Sequence, residues 1–117
     1  MRATLSKTQI GKQGEDCAYA YFLKLGYRVL SRNVRLKFGE ADLVVVNAHN
    51  VVIVEVKRRD TDAFGTPDEA ITKQKKQKLR MIAQYFEKQF PNKQIRIDVV
   101  GIRDDRVVSH LQNLEIS

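Results

Sequence analysis

The sequence predicts an α/β domain with a mixed central sheet flanked by helices, and three observations carry that prediction. Two nearly unbroken apolar runs, Ala41–Val46 and Val51–Val56, are joined only by Asn47-Ala48-His49-Asn50. Segments of helical periodicity stand on both sides of this pair. A further run, in which Ile95, Ile97 and Val99 alternate with Arg96, Asp98 and Val100, follows the second helical segment. Strands apolar on both faces belong near the centre of a sheet covered on both sides.

The elements follow in order. From Ser6 to Leu25, the residues Ile10, Gly14, Cys17, Ala18, Tyr21, Phe22 and Leu25 recur at helical spacing. Ser6 suits the N-cap and Gly26 the stop. Tyr27 to Asn33 reads as a short strand, with a basic, exposed turn through Arg35 and Lys37 after it. The two apolar runs then form a hairpin. A loop containing Phe64-Gly65 leads to Thr66-Pro67-Asp68-Glu69, which has the form of a capping box. Thr66 would cap, Pro67 would take the first helical position and Glu69 the third. That helix should run to about Phe90, where Pro91-Asn92 ends it. The Ile95 strand comes next, and Arg106 to His110 forms a last strand. The order is α-β-β-β-α-β with a final β, in a single domain over 1–117 without repeats or linkers.

Composition narrows the function classes. The 117 residues are 43% hydrophobic and 30% charged, an ordinary globular balance. A single cysteine excludes an internal disulfide framework and a cysteine-based zinc cluster. The apolar runs are too short to cross a bilayer, and no charged-then-apolar leader opens the chain. A soluble protein of a reducing cytoplasm is therefore expected.

The net charge of +7 favours a polyanionic partner, most often nucleic acid. The charge is unevenly placed. Residues 1–37 hold eight basic and two acidic groups, and residues 57–80 hold eight and four. Between them, residues 38–56 carry Glu40, Asp42 and Glu55 and no basic group. An acidic island between basic segments suits a metal site set in a phosphate-binding surface. A merely solvated basic surface is the competing reading.

Hairpin arithmetic locates the island. A symmetric turn pairs Val46 with Val51 and so sets Asp42 opposite Glu55, with Cβ atoms about 4.5–5.5 Å apart. Glu40 then pairs with Lys57 on the same face. Two facing carboxylates repel and lose solvation, a situation that calls for a cation, a shared proton or a nearby lysine. The competing arrangement has Asp42 and Glu55 hydrated at strand ends, with Glu40 and Lys57 as a cross-strand ion pair. Against it stands the setting of Glu55, between Val51-Val52-Ile53-Val54 and Val56, where charged residues are rare.

Asp42, twelve residues, then Glu55-Val56-Lys57 resembles the D-x(n)-E-x-K signature of restriction-endonuclease-like nucleases. The wider sequence is more specific. Gly14-Glu15, Gly26-Tyr27, Arg32-Asn33 and Gly39-Glu40-Ala41-Asp42-Leu43-Val44 match successive blocks of one family. So do Val54-Glu55-Val56-Lys57-Arg58-Arg59, Phe64-Gly65, Lys75-Lys76-Gln77-Lys78-Leu79 and Arg96-Ile97-Asp98-Val99-Val100. Over residues 8–102 the chain resembles the YraN family of small bacterial proteins. That resemblance implies a restriction-endonuclease-like (PD-(D/E)xK) core similar to archaeal Holliday-junction resolvases. Where the family has Ile before the aspartate this chain has Ala41, a difference that touches packing rather than ligands.

Carried over residue by residue, the resemblance gives Asp42 and Glu55 the role of binding Mg²⁺ or Mn²⁺, with the Val56 carbonyl as a further oxygen. Lys57 would orient the attacking water or neutralise charge in the transition state. Glu15 resembles the helix-borne acid that approaches the metal in related nucleases; its alternative is an exposed helix glutamate. Glu40 is expected to partner Lys57 rather than to ligate. Lys75 lies four residues from both Ile71 and Leu79 on the second helix's apolar stripe, so it should reach toward the carboxylates or a phosphate, or else snorkel to solvent. Lys73, Lys76, Lys78 and Arg80 form a solvated or phosphate-facing ridge, and with Arg58 and Arg59 supply candidates for nucleic-acid contact. Asp98 is either an acid supporting the site or the partner of a neighbouring arginine. His49 and His110 are expected at the surface and Cys17 in the core.

The implied activity is a metal-dependent endonuclease acting on DNA, on branched or damaged substrates, with a homodimer supplying two sites for two strands. The alternatives are a catalytically weak nucleic-acid-binding module of the same fold and an interaction domain of a DNA-processing assembly.

Overall fold

The computed structural model describes residues 7–58 and 69–116. The caps expected at Ser6 and Thr66, the side chain of Ile10, Phe64-Gly65 and Arg59 lie outside the described residues. Helix α1 (Lys7–Lys24) is followed by strands β1 (Arg28–Leu36), β2 (Gly39–Val46) and β3 (Asn50–Arg58). Helix α2 (Lys73–Gln89) leads to β4 (Gln94–Arg103) and β5 (Arg106–Leu111). The strands form one sheet in the order β1-β2-β3-β4-β5. Only β3 and β4 run parallel, because α2 lies in the connection between them and returns the chain to its starting edge. The mixed sheet and the α-β-β-β-α-β-β order are those of a restriction-endonuclease-like core extended by one strand.

Both faces of the sheet are covered. Side chains alternate along β3, so Val51 and Ile53 join α2's Leu79, Ile82 and Phe86 in one core. Val52 and Val54 join α1's Ala18 and Phe22 in the other. This two-sided burial is why the β-branched run is unbroken. No helix among the described residues is long and apolar enough to cross a membrane.

The hairpin has the expected register, with Val46 paired to Val51 and Leu43 to Val54. Its turn is held by Asn47, whose Oδ1 accepts the backbone N–H groups of His49 (3.0 Å) and Asn50 (2.8 Å). Lys93 then ties the turn to β4 by donating to the carbonyls of Asn47 and Ala48.

Two boundaries differ from expectation. β1 continues to Leu36, because Arg35 and Leu36 pair with Glu40 and Gly39; the turn is Lys37-Phe38. Helix α2 starts at Lys73, and Glu69-Ala70 is a turn rather than helix. The cap is Thr72, whose hydroxyl accepts the N–H of Lys75 at 3.1 Å. At the other end the helix stops before Pro91, as expected.

Candidate functional site

The site forms where β2 and β3 pass between the two helices. The β2–β3 ladder stops at Leu43–Val54, one pair short of Asp42. Beyond it, Asp42 Oδ2 accepts the N–H of Val56 at 2.8 Å. The carboxylate thus takes a strand N–H that a backbone carbonyl would otherwise receive. β2 also changes face here: Ala41 belongs to the α2-side core, while Leu43 and Val45 belong to the α1 side. On β1 the residue at the same level is Asn33, between the pairs Arg32–Leu43 and Val34–Ala41, with φ +53°. Left-handed backbone is tolerated by asparagine better than by most residues.

Glu55 follows Val54 and so points to the α2 side, where it is 5% exposed. The Lys75 ammonium lies 3.3 Å from its Oε2 and the Lys57 ammonium 4.0 Å from its Oε1. Burial, then the charge of Asp42, push the Glu55 carboxyl up to about 7, although Lys75 and Lys57 pull the other way. A hydrogen bond shared with Asp42 adds to the rise, since it requires a proton between two carboxylates. Despite the nearby ammonium, Oε2 is buried and makes no hydrogen bond of good geometry.

Lys75 reaches this position because it sits in α2's first turn, close to β2. Its ammonium also donates to the Glu40 carbonyl at 2.8 Å. Gly39 permits that approach: a Cβ there would stand 3.1 Å from Lys78 Cβ. Leu36 to Glu40, Lys75 and Lys78 line a cleft of about 470 Å³, so that Lys75 stands between this cleft and Glu55. The expectation that Lys75 turns inward is met.

From the other face, α1 crosses β3 with Gly14 over Val56 and brings Glu15 toward Asp42. Glu15 is half-buried, and burial followed by the Asp42 charge raises its pKa; a hydrogen bond with Asn33 and the charge of Arg32 oppose the rise. It is therefore not the exposed helix glutamate of the alternative reading. Glu40 does not meet expectation: its exposed carboxylate lies 3.8 Å from Arg35, its cross-strand partner on β1, while Lys57 turns to Glu55. Lys73, Lys78 and Arg58 are exposed and Lys76 is half-buried.

Among the described residues, no three His, Cys, Asp or Glu side chains gather closely enough to hold a metal ion by themselves. Asp42 and Glu55 remain a two-carboxylate pair. Such a pair fits Mg²⁺, which commonly takes one or two carboxylates and completes its shell with water and substrate phosphates. The buried, unbonded Glu55 oxygen is an acceptor suited to that use.

Asp98 is not in this site. It pairs with Val54 across the parallel β3–β4 ladder, and therefore lies on the α1 face while Glu55 lies on the α2 face. Fully buried, it takes two hydrogen bonds from Arg96 (2.8 and 2.9 Å), one from the Asn113 N–H (3.0 Å), and a contact with His110 Nε2 at 2.7 Å. Burial pushes its carboxyl upward, but the bonds from His110, Arg96 and Asn113 outweigh burial and hold it below the usual range. His110 in turn meets the Tyr21 hydroxyl at 2.9 Å, and Arg96 donates to the Tyr27 hydroxyl. The arginine partner expected as one alternative is thus correct. The placement of His110 at the surface is not, for its side chain is only 10% exposed; His49 is exposed as expected. Cys17 is half-buried at the edge of α1, with its thiol donating to the Asp105 carbonyl, rather than in the core.

Comparison with known proteins places the chain in a family. A model described as "Uncharacterised protein family UPF0102" matches residues 14–102, a span that holds Glu15, Asp42, Glu55, Lys57 and Lys75. A UPF0102 protein of Thermodesulfovibrio yellowstonii is 37% identical over 93% of this chain and 97% of its own length. One from Sulfurihydrogenibium is 40% identical over 93% and 96%. Another, from Mycolicibacterium vanbaalenii, is 42% identical over 91% and 89%. The chain belongs to the UPF0102 family, which is the YraN family that its sequence blocks resemble.

Proposed function

We propose that this protein is a metal-dependent endonuclease that hydrolyses DNA phosphodiester bonds, on branched or damaged DNA. The observation that carries the reading is the buried Glu55 beside half-buried Asp42, with one Glu55 oxygen lacking a hydrogen bond and two lysines at its rim. A protein interior does not retain two facing carboxylates without compensation.

Asp42 and Glu55 would hold Mg²⁺ or Mn²⁺, with the Val56 carbonyl as a further oxygen donor and Glu15 acting on the ion's water shell from beside Asp42 rather than as a direct third carboxylate. When bound, the ion supplies positive charge at the phosphate and acidifies the attacking water. Lys57 orients that water or offsets charge on the scissile phosphate. Exposed Lys73, Lys78 and Arg58, with Lys76 and Arg59, contact the phosphate backbone and place the duplex without reading its bases. A homodimer would supply one site per strand.

The test is cleavage of labelled linear, flapped and four-way-junction DNA with Mg²⁺ and with Mn²⁺, comparing wild type with Glu55→Ala. Metal-dependent cutting that disappears in the variant is expected. Equal cutting by both proteins removes Glu55 from the chemistry.

A second reading, a nucleic-acid-binding module with little catalysis, is favoured by the lack of a three-ligand cluster among the described residues. It requires salt-dependent DNA binding that persists in Asp42→Ala, with cleavage by neither protein.

A further inference from the structure

Lys75 lies closer to Glu55 than does Lys57, the lysine of the D-x(n)-E-x-K signature. Its ammonium is 3.3 Å from Glu55 Oε2, against 4.0 Å between Lys57 and Oε1. It is also anchored on a second oxygen, the Glu40 carbonyl, at 2.8 Å. The oxygen it faces is the one that is buried and free of hydrogen bonds, and hence the one best able to accept a cation. A divalent ion on that oxygen would meet the Lys75 ammonium at close range beside a buried carboxylate, where water screens the two charges less than in bulk.

We infer that Lys75 holds the cation's place in the metal-free protein, and that a divalent ion binds only by displacing the ammonium from Glu55. This rests on the metal-dependent reading above. The displaced side chain has somewhere to go. It is 27% exposed and borders the cleft lined by Lys37, Phe38 and Lys78, where a phosphate would receive it. Lys75 is then a positioning residue: it neutralises the pair when the site lacks metal and weakens metal affinity as the consequence. Removing its charge should tighten metal binding, the opposite of what loss of a ligand-supporting residue would do.

The experiment is titration of the protein alone with Mn²⁺, followed by the electron paramagnetic resonance signal of the free ion. Wild type, Lys75→Gln, Lys75→Arg and Glu55→Gln are compared, each checked for folding by thermal melting. Lys75→Gln is expected to bind Mn²⁺ about tenfold more tightly than wild type. Lys75→Arg keeps the charge and should bind no more tightly than wild type. Equal or weaker binding by Lys75→Gln overturns the inference, and so does tighter binding by Lys75→Arg if the glutamine variant does not fold. Failure of the underlying metal reading looks different: no protein would show Mn²⁺ binding that Glu55→Gln abolishes.

Discussion

Glu55→Gln should stabilise the metal-free protein at alkaline pH while leaving it nearly unchanged at mild acid. The wild-type carboxyl is pushed up to about 7 from an ordinary 4.5 by burial and by Asp42. The folded chain therefore keeps a proton that the unfolded chain releases across that window. A raised carboxylate pKa contributes no penalty below 4.5, loses stability as pH rises through the window, and carries the full penalty above 7. Each pH unit of difference is worth about 1.4 kcal/mol, so the penalty approaches about 3 kcal/mol at pH 8 and is under about 1 kcal/mol at pH 5. Glutamine mimics the protonated acid and removes the dependence. Urea unfolding of both proteins in EDTA at pH 5 and pH 8 measures this. The variant's advantage should grow by about 2 kcal/mol between the two pH values, a shift of roughly 8 °C in Tm for a chain of this size. A constant difference at both pH values, or a variant less stable at pH 8 than at pH 5 relative to wild type, would show that Glu55 is not a strained acid and would refute the reasoning.

Other predictions concern the rest of the molecule. Asp98→Asn leaves half-buried Arg96 without its anion and should lower stability by about 3 kcal/mol at neutral pH, read by denaturant unfolding. Because the Asp98 carboxyl is held below its ordinary 3.8, its contribution is present above that value and is lost as pH falls through the depressed one. Asn33→Ala forces a Cβ-bearing residue without a polar side chain to keep φ +53° and should cost about 1 kcal/mol more than Asn33→Gly, compared by thermal melting. Lys73→Gln and Lys78→Gln should each reduce the slope of log affinity against log salt for DNA by about one, equally for unrelated sequences, as fluorescence anisotropy would report.

Much of the site was legible because a short hairpin turns sequence distance into spatial distance. Asn47 to Asn50 set the register, so the approach of Asp42 and Glu55 followed from counting. Lys75 was legible from helix periodicity, even though Ile71, used to define the stripe, precedes the helix and joins the core from outside it. Counting failed where the backbone departs from regular pairing. The break at Asp42 redirected Lys57 to Glu55 and left Glu40 to Arg35.

The same physics hid His110. The two-residue turn at Asp104-Asp105, both with positive φ, pairs Ile102 with Val107. Continued regularly, that register would set His110 opposite Val99, on the α2 face. A bulge after Gly101 instead sets it opposite Val100, on the α1 face beside Asp98. Asp98 itself was misplaced as a candidate because the offset between parallel strands is fixed by a crossover, not by a turn that can be counted. The start of α2 was missed for a local reason, since Thr66 and Thr72 are both capping residue types and Pro67 and Glu69 after Thr66 made it the stronger sequence signal.

Neighbouring rungs of the β3–β4 ladder bring buried carboxylates to opposite faces, Glu55 beside Val99 and Asp98 beside Val54. Sliding either strand by one residue while the other stays fixed would turn its acid into the wrong core. Glu55 would enter the apolar layer under α1, or Asp98 and Arg96 together would turn into the apolar core under α2. Apolar valines alone would tolerate such a slip, because both faces of these strands are equally greasy. The two acids therefore select one docking of the N-terminal hairpin onto the C-terminal half over its one-residue slips.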